Sequence, residues 1–233
     1  MRYVTKAQNN EIDMEDMKKL QKILPDKTKP ITWVFVGDSI THGACHTHGW
    51  RSYPEHFAER IRCESQRYSD VVINNGVTND TTKLLLNAWK VRVACFKPDV
   101  VSIMEGMNDC AISLQGAASK EDFTKNLREM VSRVRKSGAI PLLQTMNTIT
   151  SDQQRKDLPA YVDVIRSVAR REKAILVDNY EYWEKGKQPP SNPLKWLNDA
   201  IHPNELGHRA IAHELFRALD IFDDKSPTCS LPL

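Results

Sequence analysis

The chain alternates between two kinds of segment, and that rhythm limits the fold more than any other feature. Short runs of β-branched and apolar residues occur at 32–36 (TWVFV), 70–73 (DVVI), 99–104 (DVVSIM), 139–145 (AIPLLQT) and 174–178 (AILVD). Between and after them lie segments of helical period near 52–64, 80–96, 119–137, 158–172 and 204–219. In the third of these, Phe123, Leu127, Met130, Val131 and Val134 fall on one stripe, basic residues come late, and Gly138 stops the pattern. The fourth repeats it with Leu158, Tyr161, Val162, Ile165 and Val168. Apolar strands separated by helices predict a parallel sheet covered on both faces. The expected fold class is therefore α/β, a three-layer α/β/α sandwich around a central five-stranded parallel sheet.

A polar lead-in with helical character, about 11–24, and the breaker "PDKTKP" precede the first strand. The expected division is an N-terminal helical extension at 1–30, one main domain at 31–222 and a C-terminal tail at 223–233. At 233 residues, one domain of this class can bury a full core without disulfide or metal staples. The balance of 33 basic against 30 acidic residues, with no basic run carrying interleaved aromatics, argues against nucleic acid as a partner. No window approaches the roughly 20 apolar residues of a membrane span. The N-terminal stretch lacks the apolar core of a signal peptide. Cys45, Cys63, Cys95, Cys110 and Cys229 are odd in number, widely spaced and without a CxxC, so they read as reduced thiols. A cytoplasmic location is the default expectation.

In a sheet of this kind, ligands bind outside the carboxyl ends of the strands. The first strand delivers Gly37-Asp38-Ser39, the second Asn74-Asn75-Gly76, and the third Glu105-Gly106-Met107-Asn108-Asp109. The loop before the last helix brings Asp199 and His202. Serine becomes a nucleophile only when a base takes its proton, and histidine is the natural base near neutral pH. Asp199, three residues before His202, can hold the other ring nitrogen if the segment coils, and Pro203 starts the final helix cleanly. Ser39, His202 and Asp199 thus form a candidate triad recognised by roles rather than chain order. Candidate oxyanion donors are the N–H groups of Ser39 and Gly76 and the side-chain amide of Asn108.

The blocks "FVGDSIT" (35–41), "NNGVTNDTT" (74–82), "IMEGMND" (103–109) and "DAIHPNELGH" (199–208) resemble the GDSL esterase/lipase superfamily in its SGNH hydrolase form. The resemblance implies a flavodoxin-like sandwich, Ser39 as nucleophile and oxyanion donor, Gly76 and Asn108 completing the hole, Asp199 and His202 as acid and base, and no cofactor. The second block of that superfamily often has a further glycine where this chain has Asn79. Asparagine tolerates a left-handed backbone, so the turn is expected to survive.

Taken singly, each block has a bland reading. "GDSI" can be a helix cap, "GMND" a turn and "DAIHP" a helix start. Together, in order and each at a strand end or before a helix, they do not read as chance. His42, His46 and His48, with Asp38, offer nitrogen and oxygen ligands for zinc. Their spacing suits no zinc motif, however, so no metal is expected and the loop reads as a polar rim over the substrate mouth. Asp38, His42, Trp50 and Trp196 are candidate substrate contacts. Glu105 is expected to pair with a histidine or arginine of the 42–51 loop, and His208 and His213 to lie at the surface or in packing. The longest irregular stretches, 110–119 and 183–199, are candidates for functional loops.

The expected activity is hydrolysis of short-chain acyl esters, with the partner a small-molecule or carbohydrate acyl ester. The acetyl and sugar preference rests on the resemblance of "VSIMEGMND" and "DAIHPNELGH" to acetyl xylan esterase-like members. Other readings are a lysophospholipase or acyl-thioesterase of the same superfamily, a catalytically idle sugar-binding domain, and a metal-dependent deacetylase. The N-terminal thirty residues are expected to pack on the core or on another subunit, which leaves a homo-oligomer open.

Overall fold

The computed structural model describes residues 15–112, 114, 117–150, 152–186 and 193–233, with the side chains of 193 and 194 outside the description. The start of the lead-in and most of "GKQPPSNP" fall outside the described residues. Five strands, β1 (Thr32–Gly37), β2 (Val71–Asn74), β3 (Val100–Met104), β4 (Ile140–Gln144) and β5 (Ile175–Val177), form one sheet in the order β2-β1-β3-β4-β5. Every pairing is parallel. This is the flavodoxin-like order, whose direction of winding reverses between β1 and β3. The architecture is a three-layer α/β/α sandwich.

The helices are α1 (Glu15–Ile23), α2 (Ser39–His42), α3 (Tyr53–Ala58), α4 (Thr82–Asn87), α5 (Trp89–Arg92), α6 (Lys120–Lys136), α7 (Leu158–Glu172), α8 (Asn179–Gly186), α9 (Glu205–Ala218) and α10 (Pro227–Ser230). Helices α4, α6 and α7 cover one face, and α3 and α9 the other. The alternation along β1 builds both layers. Trp33 and Phe35 meet Phe57 of α3 at 4.9 and 5.1 Å between ring centroids. Val34 and Val36 point the opposite way, and all four are buried. The whole stripe of α6 is buried, each large side chain contributing roughly 1.5–3 kcal/mol.

Three expectations change. The segment 80–96 is not one helix but α4, α5 and a 3₁₀ turn, Ala94–Phe96, broken at Ala88 (φ −94°, ψ 8°). The break lets Trp89 pack inward beneath the guanidinium of Arg133. The stretch 183–199, read as loop, begins inside α8, whose Trp183 is fully buried. β2, read as apolar on both faces, is an edge strand with Val71 exposed.

The N-terminal helix is packed rather than detached. Leu20 is in the core, and the buried Asp16 pairs with Arg135 at 2.6 Å. Arg67 ties the following turn to the sheet through the carbonyls of Leu24, Asp26 and Lys29 and through Asp70. At the other end, Thr228 bonds Glu64, and His213 Nε2 donates to the Thr228 carbonyl. No helix among the described residues is long and apolar enough to cross a membrane.

Candidate active site

β1 ends against its neighbour: a Cβ on Gly37 would lie 2.5 Å from the Met104 carbonyl of β3. The chain then turns at Asp38, whose extended backbone and side chain cap α2, with Oδ1 accepting the Ile40 N–H at 2.9 Å. Ser39 is the first residue of that turn, so its N–H has no acceptor within the helix. Gly43 closes the turn at φ +76°. A four-residue helix between these two stops holds the Ser39 hydroxyl at the carboxyl edge of the sheet, at the switch point.

The partner loop is held as tightly. Leu197 and Pro203 bridge, and the Asn198 N–H donates to the His202 carbonyl at 2.8 Å. Asn204 caps α9 through the N–H groups of Leu206 and Gly207. Asp199 Oδ1 accepts the N–H groups of Ile201 and His202, both at 2.7 Å, leaving Oδ2 2.7 Å from His202 Nδ1. On the other side of the ring, His202 Nε2 lies 2.9 Å from Ser39 Oγ. Partial burial pushes the Asp199 carboxyl up, but these three hydrogen bonds outweigh it and hold it below the ordinary range. An ionised carboxylate can only accept, so Nδ1 carries the proton and Nε2 turns its lone pair to the serine.

The second and third blocks close in on the first. The Val77 N–H donates to the Gly37 carbonyl, and Asn74 Nδ2 to that of Thr41. A Cβ on Gly76 would lie 2.3 Å from the His42 nitrogen, so only glycine fits there. Asn79 adopts φ +62°, the left-handed turn expected of it. Asn108 Nδ2 donates to the Asp80 carbonyl at 2.9 Å, and its amide has a second N–H for another acceptor. Arg155, which sequence reading did not single out, sets that amide. Its Nε donates to the Met107 carbonyl at 2.9 Å and its Nη2 approaches Asn108 Oδ1 at 3.5 Å. The Gly76 N–H donates to Asn74 Oδ1 at 3.1 Å. An oxyanion would have to displace that contact.

Residues 35–210 match the GDSL-like lipase/acylhydrolase family. The chain belongs to that family.

As a GDSL-like acylhydrolase it is a carboxylic ester hydrolase. It is 26% identical to an acetylxylan esterase of Geobacillus stearothermophilus over 204 residues, covering 80% of this chain and 92% of that protein. An uncharacterized protein of Mycoplasma pneumoniae is 35% identical over 109 residues, and this chain spans only 12% of its length. An α/β hydrolase from the metagenome of Lake Arreo, Spain, superposes with a TM-score of 0.72 at 24% identity, covering 83% of this chain and 96% of that one. The acetylxylan esterase structure from G. stearothermophilus superposes with a TM-score of 0.71 at 22% identity, covering 81% and 94%. At these identities the structural likeness concerns the fold.

Behind the serine of this acylhydrolase sits a group of buried acids. Glu105 does not reach the 42–51 loop as expected. It is buried against Asp80, and burial together with Asp80, Asp38 and Asp109 drives its pKa well above the ordinary carboxyl range. Burial pushes Asp38 up to about 7 and Asp109 to about 6, the latter against hydrogen bonds from Thr82. Asp80 pairs with Arg92 at 2.9 Å. The apolar strand before Glu105 shows its burial, but not that it faces other acids.

The four expected substrate contacts part company. Trp50 is 55% exposed, and His42 is exposed with Nδ1 3.2 Å from Thr78 Oγ1. Asp38 and Trp196 are buried. Asp38 is 1% exposed and serves as the cap beneath Ser39. Trp196 packs edge-on to Trp183 and face-to-face with Tyr182, so both have core roles. His208 and His213 are buried rather than at the surface, and burial takes His208 down to about 3.

The zinc set considered from sequence is not assembled, since Asp38 lies buried under the turn. Among the described residues, the one group with ligand atoms within 4.8 Å of one another is His46, Asp199 and His202. The two imidazoles are stacked, centroids 3.5 Å apart and planes 6° from parallel. Imidazole lone pairs lie in the ring plane, so an ion bridging both rings would sit where neither offers one. That arrangement does not fit a metal.

Proposed function

We propose that this acylhydrolase is a serine esterase for short-chain acyl esters, with acetyl groups on carbohydrates as its substrate class. The reading rests on one observation: the continuous line from Asp199 Oδ2 through both nitrogens of His202 to Ser39 Oγ, with steps of 2.7 and 2.9 Å. Ser39 Oγ attacks the ester carbonyl as its proton passes to His202 Nε2. The carbonyl oxygen becomes an oxyanion, bonded by the Ser39 N–H and the second N–H of Asn108, and by Gly76 once its N–H leaves Asn74. When the C–O bond to the alcohol breaks, His202 returns the proton to the departing oxygen. Water then loses a proton to His202 as it attacks the acyl-serine, and the proton goes back to Ser39 Oγ as the carboxylic acid departs.

The acetyl and carbohydrate part is supported by the acetylxylan esterase relative and by the polar loops around Ser39, which carry His42, Asn74, Thr78 and Asn108. A long acyl chain calls for an apolar groove. A cytoplasmic site of action is part of the proposal and rests on five free cysteines. The test is a chain-length series of p-nitrophenyl esters with acetylated xylo-oligosaccharides alongside. The highest kcat/KM is expected on acetyl esters, and an optimum at eight carbons or longer would replace this reading with a lysophospholipase or thioesterase.

A further inference from the structure

The loop from Gly43 to Gly49 was expected to be a rim, yet one of its histidines leaves the rim and lies on the catalytic base. The path is tightly turned: Gly43, Cys45, His48 and Gly49 all have positive φ (76°, 68°, 51° and 90°). Two of these are side-chain-bearing residues, for which the left-handed region is uncommon and costs energy. The turn is pinned by the Thr47 N–H on the Gly43 carbonyl, the Trp50 N–H on the Thr47 carbonyl and the burial of Thr47. Asn198 Nδ2, from the loop that carries Asp199 and His202, donates to the His46 carbonyl. The outcome is the stack of His46 on His202 at 3.5 Å and 6°.

We infer that His46 is a positioning residue for the reaction assigned above, and the inference rests on that reading. Its ring covers one face of His202 and holds the base in the line between Asp199 and Ser39.

The need for such a residue follows from the geometry of the hydrogen bonds. Asp199 and Ser39 restrain His202 only in its ring plane, through the two nitrogens. Displacement perpendicular to that plane, and tilting about the axis joining the nitrogens, are resisted weakly by those bonds. A parallel ring at van der Waals distance blocks both motions on one side and shields that face from water. Asp199 is half exposed, so its own surroundings supply little of this restraint. Burial and the neighbouring His202 hold the pKa of His46 below the ordinary histidine value, with Asp199 opposing them and His42 and His48 adding to them. His46 therefore presents a neutral face to the imidazolium that forms on His202 during attack.

The experiment compares wild type with His46→Ala and His46→Phe. Steady-state kinetics on an acetyl ester is paired with the downfield proton resonance of His202 Nδ1–H, which needs no substrate. His46→Ala is expected to lower kcat about tenfold with KM within about twofold, and His46→Phe to restore most of kcat, because a flat ring does the positioning. The Nδ1–H resonance should stay sharp in wild type and His46→Phe and be lost to exchange in His46→Ala, with all three melting alike. Wild-type kcat in His46→Ala, a change confined to KM, or His46→Phe as slow as His46→Ala would each overturn the proposal. Should wild type fail both to turn over esters and to be labelled at Ser39 by a fluorophosphonate, the esterase reading falls. The resonance comparison then still decides whether His46 positions His202.

Discussion

Ser39 Oγ and His202 Nε2 stand 2.9 Å apart across 163 positions of sequence. One sits on a four-residue helix at the end of β1, the other in the loop that leads into α9. Each residue also has restraints of its own: Asp38 and Gly43 set the serine turn, and Asp199, Asn204 and the stacked His46 hold the histidine and its loop. The contact is preorganised, so removing one partner should leave the other in place.

Ser39→Ala is therefore expected to fold and melt as wild type while kcat falls on the order of 10⁶-fold. Fluorophosphonate labelling should disappear with it. Substantial turnover by the folded variant would rule out the serine mechanism.

Asn108→Ala removes the amide proposed for the oxyanion and should lower kcat about 10²–10³-fold, with little change in KM. Arg155→Ala leaves the amide in place but removes the guanidinium that holds it and the Met107 carbonyl, so a smaller loss, about tenfold, is expected. Equal losses in the two variants would mean that Arg155 does more than orient Asn108.

Gly76→Ala forces a Cβ to within 2.3 Å of the His42 nitrogen and 2.8 Å of the His42 Cα, all backbone that cannot swing aside. A destabilisation of roughly 1–3 kcal/mol is expected together with a sharp loss of kcat. Thermal melts and kinetics on the purified variant check both. A variant with wild-type melting would show that the second block moves more freely than its packing implies.

Asp38→Asn tests the buried acids through the pH dependence of stability. In the folded chain burial raises Asp38 from 3.8 to about 7. A raised carboxyl favours folding when protonated, so its contribution is complete below about pH 4 and is lost as pH rises through 7. The asparagine is neutral throughout, and its carbonyl can still cap Ile40. The stability of Asp38→Asn relative to wild type should therefore climb between pH 4 and 7, by on the order of a few kcal/mol, and level off above. A difference independent of pH would contradict the raised carboxyl.

Much of this was legible in the chain itself. The stripes on α6 and α7 could be read because burial on a helix repeats locally, every three or four residues. The break at Ala88 could not, since no glycine or proline marks it and the inward packing of Trp89 depends on Arg133, 44 residues away. The second half of α8 is obscured by the Gly- and Pro-rich stretch that follows it, so the expected loop begins at 183, inside the helix.

Local sequence sets the order of strands and helices and which polar residues stand at the strand ends. Both are properties of short segments: the period of apolar residues, the caps and the stops. The packed fold sets how those residues are used. It laid His46 on the face of His202, set Arg155 behind Asn108, engaged the N–H of Gly76 with Asn74, and gathered Asp38, Asp80, Glu105 and Asp109 beneath Ser39. Each depends on loops distant in the chain meeting at one sheet edge. Their approach is governed by packing and by which donors and acceptors remain unpaired there, and no periodicity within a segment records it.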